Sequence, residues 1–110
     1  GLAAIRLRNE DFADAAGLAL EALEHDMQLF RAHYHLGVAL AHLDRPEEAV
    51  MAFETAAKLN ATGAAPFYWL AHIAAKLLAD TGLAKQYSER GRDVIRRRRE
   101  DGARGQAVTE

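Results

Sequence analysis

The chain has 110 residues, of which 50% are hydrophobic, and its acidic and basic side chains nearly cancel to a formal net charge of −2. This length fits one domain with a real core. The absence of cysteine excludes disulfides and thiolate metal sites and suits a reducing compartment, so we expect a cytoplasmic location. No apolar run reaches the ~20 residues that a membrane-spanning helix needs, so no membrane association is expected. Because the chain begins with Gly1 rather than Met, we expect it to be a fragment of a longer protein.

Apolar residues recur at helical spacing in the first part of the chain, where they predict one pair of helices. The first helix is short, over about residues 2–9, and the second runs from residue 10 to about Asp26. Gly17 interrupts the second helix and disfavours it by about 1 kcal/mol relative to alanine. Because its first helix is short, the first pair is expected to be incomplete.

A second pair of helices is predicted over about residues 29–60, with a turn at Asp44-Arg45-Pro46. Asp44 and Glu47 have the spacing of a capping box, in which each side chain accepts a hydrogen bond from the first turn of the helix. Pro46 belongs in that first turn, where its missing N–H leaves no hydrogen bond unmade. These signals predict a tight connection between two antiparallel helices.

A third pair of helices is predicted over about residues 64–79 and 83–100. Pro66 lies in the first turn of the first of them. The second helix is rich in arginine and carries Ser88 where the previous pair has a large apolar residue. Residues 101–110 show no apolar period, and we expect them to form a flexible tail.

Small residues recur along these pairs with a period of about 34 residues, the length of a helical hairpin repeat. Ala19 falls where Phe53 stands one period later, so the first pair lacks a large core residue and is expected to pack thinly. Three series carry the period: Leu2-Ala3, Leu36-Gly37 and Leu70-Ala71; Ala15, Ala49 and Ala84; and Ala22, Ala56 and Gly91.

One known repeat has Trp, Leu-Gly and Tyr in its first helix, Ala and Phe with three residues between them in its second helix, and Pro at its end. The matching residues are Leu36, Gly37, Ala49, Phe53 and Ala56, and the departures are His33 for Trp, Leu40 for Tyr and Ala61 for Pro. The middle pair thus resembles the tetratricopeptide repeat. Its small residues let two helices approach closely, while larger ones fill the space between them.

The resemblance implies an all-α fold of antiparallel helical hairpins, stacked as a right-handed superhelical array. It divides residues 1–100 into one repeat domain of about two and a half units, over about residues 1–27, 28–61 and 62–98. It also implies a scaffold for protein–protein interaction. In this family the first helix of each hairpin lines a concave groove that accepts a peptide or a partner helix.

Motifs for catalysis and metal binding are missing from the sequence. None of the five histidines has another histidine at the i, i+4 spacing that places two zinc ligands on one helix face. There is no glycine-rich phosphate loop, no nucleophile motif and no pair of carboxylates in an apolar setting. We therefore expect no enzymatic activity and no resident metal or cofactor, and we interpret His33 as a packing residue.

Aligned by the repeat, the inner helices carry the residues that would face a partner in the groove. Tyr34 and Tyr68 are 34 residues apart, so they are expected to project from equivalent places as a pair of anchors. The chaperone-binding clamp of this family is disfavoured, because Ala65 and Trp69 stand at two of its polar positions. The predicted groove residues are Arg31, Tyr34, Val38, His42, Tyr68, His72 and Lys76.

Two alternative functions remain open. The domain could associate with itself or dock onto a larger parent enzyme through apolar end faces, and its acidic first half and basic second half would favour head-to-tail contact. Nucleic acid could bind the basic end of the last helix, although no aromatic residues are interleaved there for base stacking. The residues of this polyanion patch are Arg92, Arg96, Arg97, Arg98 and Arg99.

Overall fold

The computed structural model describes residues 11–26 and 28–109, with side chains described as far as residue 102. These residues form five α-helices and no strand, which confirms the predicted all-α class. The short helix predicted over residues 2–9 lies outside the described residues. The helices are α1 (Phe12–His25), α2 (Phe30–His42), α3 (Pro46–Leu59), α4 (Ala65–Lys76) and α5 (Thr81–Thr109).

Local chemistry sets the starts of several helices. Pro46 and Pro66 lie in the first turns of α3 and α4, as the sequence predicts. The carboxylate of Asp80 accepts a hydrogen bond from the backbone N–H of Leu83 at 3.0 Å and so caps α5. None of the described helices combines the length and the apolar character needed to cross a membrane.

Each helix packs against the next one along the chain, and short connections make neighbouring helices antiparallel. In addition, α2 contacts α4 directly, whereas the described helices α1, α3 and α5 make no close backbone approach to one another. The described helices therefore form two layers. One contains the inner helices α2 and α4, and the other contains the outer helices α1, α3 and α5. The exposed surface of the inner layer is the α2–α4 face.

Phe53 of α3 lies at the centre of the core. Its side chain is fully buried, as are those of Leu70 and Ile73 in α4. The ring lies directly against Gly37 of α2, where an added Cβ atom would be 2.9 Å from three ring carbons. That is closer than non-bonded carbon atoms pack. The Gly and Phe positions of the repeat pattern therefore form one contact, which explains why the two residue types occur together.

Several small residues of the 34-residue period are buried, whereas Ala22, Ala71 and Ala84 are half-buried. Ala49 is fully buried and Ala56 is 1% exposed, so both permit the close approach that their positions predicted. Ala19 is also buried, but the core beside α1 consists mainly of alanine side chains, with no fully buried large residue. The packing of α1 is therefore thinner than that of α3 and α4, as expected from the sequence.

Two predictions about helix ends were wrong. Asp44 does not cap α3, because Arg45 occupies the N-cap position and makes no side-chain capping hydrogen bond. The backbone of Asp44 is instead left-handed, with φ of 61°, because the tight turn needs a conformation that Asp adopts more readily than most residues. The last helix does not end near Glu100 but continues to Thr109, since a formed helix extends readily through Ala, Arg and Gln.

Candidate functional site

Aromatic rings surround Trp69 on the α2–α4 face. The indole stacks on the ring of Phe53, with centroids 5.6 Å apart and 13° between the planes. The imidazoles of His42 and His72 approach the indole edge-on, at centroid distances of 6.0 and 6.2 Å. Offset stacking and edge-on contacts are the favoured geometries for such rings. Trp69 of α4 is therefore packed against rings from both α2 and α3.

Two further contacts fix this arrangement. The Nε1–H of Trp69 donates a hydrogen bond to the hydroxyl of Tyr34 at 2.9 Å, so the indole is held to α2 by a polar contact as well. Phe12 of α1 stacks on His42, with centroids 4.1 Å apart and 6° between the planes. The Trp69 cluster consists of these six rings: Phe12, Tyr34, His42, Phe53, Trp69 and His72.

An open cavity of about 310 Å³ lies beside the cluster and is lined by Tyr68, Trp69 and His72. We call it the Trp69 cavity, and its walls are mostly apolar. Tyr68 is 46% exposed and lies next to α5, where a Cβ atom added to Gly91 would be 3.4 Å from its ring. An apolar recess with phenol and imidazole groups at its rim suits an apolar side chain from another molecule.

Tyr34 and Tyr68, which their spacing predicts to project from equivalent places, differ in exposure. Tyr34 is half-buried, and its hydroxyl already accepts the hydrogen bond from Trp69. It lines a separate cavity of about 290 Å³, together with Arg31 and Asn60. The two positions differ because α4 covers Tyr34, whereas no described inner helix follows α4 to cover Tyr68.

The other predicted groove residues differ in accessibility. Val38 is 8% exposed and belongs to the core, so it supports the face from behind and does not reach a partner. Arg31 and Lys76 are exposed in the first turn of α2 and the last turn of α4. His35 is half-buried, and its ring lies edge-on to that of Tyr34 with centroids 6.1 Å apart. Burial lowers its pKa, and the positive charge of Arg31 lowers it further.

Phe12, Phe53 and Trp69 are the members of the cluster that the predicted groove residues omit, and Phe53 was predicted as a core residue. Trp69 could have been chosen from the sequence, because it is the only tryptophan and lies on a predicted inner helix. Phe12 carries no such signal. Its stack with His42 depends on how α1 lies across α2, which the periodicity of either helix alone does not define.

A second contact network lies between α3 and α5. The hydroxyl of Tyr87 donates a hydrogen bond to Oε1 of Glu54 at 2.8 Å, and Arg90 lies over the ring of Phe67 at 4.7 Å. Burial raises the pKa of Tyr87 to about 12, with help from the hydrogen bond to Glu54 and its negative charge. This network joins α5 to α3 across α4, so it stabilises the stack of helices.

The arginines of the predicted polyanion patch are divided between ion pairs and solvent. Nη2 of Arg96 lies 3.0 Å from Oδ1 of Asp93, and its Nε lies 3.9 Å from Oε1 of Glu100. Arg97 lines a small cavity that also includes Asp93. Exposed pairs of this kind contribute at most about 1 kcal/mol, but they place carboxylates beside the cations. The positive charge of the patch is therefore partly offset.

Among the residues that the structure describes, no group of three His, Asp or Glu side chains could hold a metal ion. His33 is 8% exposed, which fits the packing role expected from its place in the repeat. The α2–α4 face offers apolar recesses, imidazoles, a phenol and a guanidinium. These groups are suited to holding another molecule through apolar contact and hydrogen bonds.

Comparison with known protein families finds none that matches this chain. Comparison with curated proteins finds no significant relative. The geometry of the α2–α4 face is therefore the basis for assigning a function.

Proposed function

We propose that this domain is a tetratricopeptide-like module that binds a segment of another protein on its α2–α4 face. The observation that carries the proposal is the Trp69 cavity, in which an aromatic surface is both fixed in position and open to solvent. The groove expected for a right-handed array of helical hairpins would place such a cavity on its inner wall.

Rigidity of the cavity supports a binding role. Trp69 is stacked on Phe53 and hydrogen-bonded to Tyr34, so its side chain loses little further freedom when a partner binds. Tyr68 and His72 remain exposed at the rim. Buried aromatic anchors surrounded by accessible polar groups are typical of the residues that contribute most to protein interfaces.

A peptide-display experiment tests the proposal. Random peptides are selected on the full chain, and their affinities are measured by the fluorescence of Trp69, the only tryptophan in the chain. Replacing Tyr68→Ala and His72→Ala together removes two walls of the cavity. Because truncated hot-spot residues weaken binding most, this variant should bind the selected peptides about tenfold or more weakly.

Met51→Ala is the matched control, because Met51 is 70% exposed on the outer helix α3. Its affinity for the selected peptides should equal that of the wild type. Circular dichroism should show the same helix content in all three proteins. Peptides that bind the wild type and the cavity variant equally well would remove the support for the α2–α4 face.

Self-association is a second candidate, and one observation favours it. An open cavity of about 500 Å³ lies beside the contact of α1 with α2 and is also bordered by the turn into α3. Leu20 and Leu43 line it and are 53% and 37% exposed. Apolar surface of this kind is often covered by a second protein molecule.

Light scattering over a range of protein concentrations tests this candidate. A dimer held through this surface should dissociate on dilution, and Leu20→Ser should shift the equilibrium toward the monomer. Met51→Ser, which removes an exposed apolar side chain that does not line this cavity, should leave the equilibrium unchanged. A monomer at every concentration would dismiss self-association.

A further inference from the structure

We infer that the segment bound on the α2–α4 face is acidic and contributes one apolar side chain to the Trp69 cavity. This inference rests on the proposed function, because it defines the chemistry of the partner for the same face. It is drawn from the distribution of charge between the inner and outer helices and from the composition of the cavity.

The two inner helices contain no acidic residue. Phe30–His42 and Ala65–Lys76 together carry Arg31 and Lys76 as full cations, and histidine is their only other ionisable side chain besides tyrosine. The exposed histidines His42 and His72 belong to the Trp69 cluster. A segment lying along this face therefore meets positive charge near both ends and imidazole groups on both inner helices.

The outer helices carry the acids instead. α3 has Glu47, Glu48 and Glu54, and two of these are already engaged: Glu48 lies 3.9 Å from Arg45, and Glu54 accepts a hydrogen bond from the hydroxyl of Tyr87. None of these contacts involves the inner helices. The positive character of the α2–α4 face is therefore not neutralised by the carboxylates of α3.

The turns that adjoin the inner helices do contain aspartates, but two of them have local partners. The carboxylate of Asp26 accepts a hydrogen bond from the backbone N–H of Gln28 at 2.9 Å. Asp80 accepts one from the backbone N–H of Leu83 at 3.0 Å. Asp44 is exposed in the turn after α2. These groups lie beyond the helix ends, so the inner helices themselves carry no negative side chain.

A partner rich in Asp and Glu matches this surface. The guanidinium of Arg31 can hold a carboxylate with two parallel hydrogen bonds, and Lys76 can act as a point charge at the other end. Imidazoles donate hydrogen bonds to carboxylates without repelling them. A basic segment would find no counter-charge on the inner helices and would be repelled, so charge selects between the two kinds of partner.

The composition of the cavity adds the second element of recognition. Tyr68, Trp69 and His72 present a mostly apolar recess of about 310 Å³, which cannot satisfy a buried charge. One aliphatic or aromatic side chain between acidic neighbours therefore fits best. The apolar side chain supplies affinity in the recess, while the flanking carboxylates supply orientation and speed of association.

The first test is the composition of the peptides selected by display on the full chain. Face binders are those peptides whose binding is lost in the Tyr68→Ala, His72→Ala variant. We expect Asp and Glu to be enriched among the face binders relative to the starting library, on both sides of one apolar residue. Face binders without that enrichment, or with Lys and Arg enriched, would overturn the inference and leave the proposed function intact. If no face binders are found, the proposed function itself fails.

The second test compares one acidic face binder with two matched peptides, in which its Asp and Glu residues are replaced by Asn and Gln or by Lys. At low salt the acidic peptide should bind about tenfold more tightly than its amide counterpart, and the difference should shrink as salt screens the charges. The lysine peptide should bind most weakly. Equal affinity of the acidic and amide peptides would refute the inference.

Charge reversal on the protein completes the test. The double variant Arg31→Glu, Lys76→Glu should bind the acidic peptide about tenfold more weakly and lose its preference over the amide peptide. Lys58→Glu is the control, because Lys58 is equally exposed but lies on the outer helix α3. Equal weakening by the control would mean that net charge, and not the α2–α4 face, governs binding.

Discussion

At the scale of one residue, Gly37 shows how the lack of a side chain permits a close contact between two helices. Any Cβ at this position would lie 2.9 Å from three carbons of the Phe53 ring, and the ring has no room to move in a fully buried core. Gly37→Ala should therefore lower the free energy of unfolding by about 1–3 kcal/mol, the usual effect of overpacking. Urea unfolding followed by circular dichroism measures this change.

Gly17 is the matched control for this substitution. It is also a helical glycine, but a Cβ atom added there would meet nothing within 4 Å. Gly17→Ala should raise the free energy of unfolding by up to about 1 kcal/mol, because alanine favours helix more than glycine does. If both substitutions changed the free energy of unfolding in the same direction, the contact with Phe53 would not limit the size of the side chain at position 37.

The raised pKa of Tyr87 predicts how the free energy of unfolding depends on pH. Burial and the contact with Glu54 raise its pKa to about 12, whereas in the unfolded chain a tyrosine has a pKa of about 10. As the pH rises through this window, the unfolded chain loses the proton before the folded protein does. The stabilisation is therefore complete below about pH 10 and is progressively lost as the pH rises toward about 12.

Tyr87→Phe isolates this effect, because phenylalanine keeps the ring but cannot titrate. The difference in free energy of unfolding between the wild type and this variant should shift in favour of the variant as the pH rises from about 9 to about 12. Chemical denaturation at each pH measures the difference, and tyrosinate absorbance should lose its component of highest pKa. A difference that stays constant with pH would contradict the raised pKa of Tyr87.

At the scale of the helices, the sequence predicts the elements better than their junctions. The 34-residue period and the apolar stripes locate all five described helices, because helix formation and burial of one face depend on nearby residues. Turn conformations depend instead on where both neighbouring helices lie. Asp44 and Ala79 have left-handed backbones, with φ of 61° and 52°, and neither is a glycine that would have marked the turn.

Ala79 gives a prediction at this scale, because alanine is strained in the left-handed conformation. Ala79→Gly should raise the free energy of unfolding by about 0.5–1 kcal/mol, since glycine adopts this backbone without strain. Ala75→Gly, an exposed position still within α4, should lower it by up to about 1 kcal/mol. Thermal unfolding of the two variants measures both effects. Destabilisation by Ala79→Gly would show that this turn is not strained.

The candidate site was predictable to the level of helix faces but not of contacts. Sequence spacing places Tyr34, His42 and His72 on the inner helices, and all three do meet around Trp69. Sequence spacing could not show that the indole of Trp69 would donate a hydrogen bond to the hydroxyl of Tyr34, because that bond depends on how α2 and α4 cross. The different exposure of Tyr34 and Tyr68 likewise depends on which helices lie beside each of them.

At the scale of the whole molecule, the core is unevenly distributed along the stack. Its largest fully buried side chains, Phe53, Leu70 and Ile73, all belong to α3 and α4. The cluster beside α1 is built on alanines, and a cavity of about 500 Å³ lies beside the contact of α1 with α2. Because each helix packs mainly against its neighbours, stability in such a stack is approximately a sum of local contacts. α1 is therefore held less strongly than the centre.

Native-state hydrogen exchange should resolve this gradient. We expect amides in α1 to exchange at least about tenfold faster than those in α3 and α4, because α1 can open while the central helices stay folded. Phe53→Leu should reduce protection in α3 and α4 by about 1–2 kcal/mol and leave α1 unchanged. Leu23→Ala, which removes a buried side chain from α1, should reduce protection in α1 and leave α3 and α4 unchanged. Uniform protection, or loss of protection in every helix from either substitution, would mean that the stack unfolds as one cooperative unit and that its thin end is as firmly held as its centre.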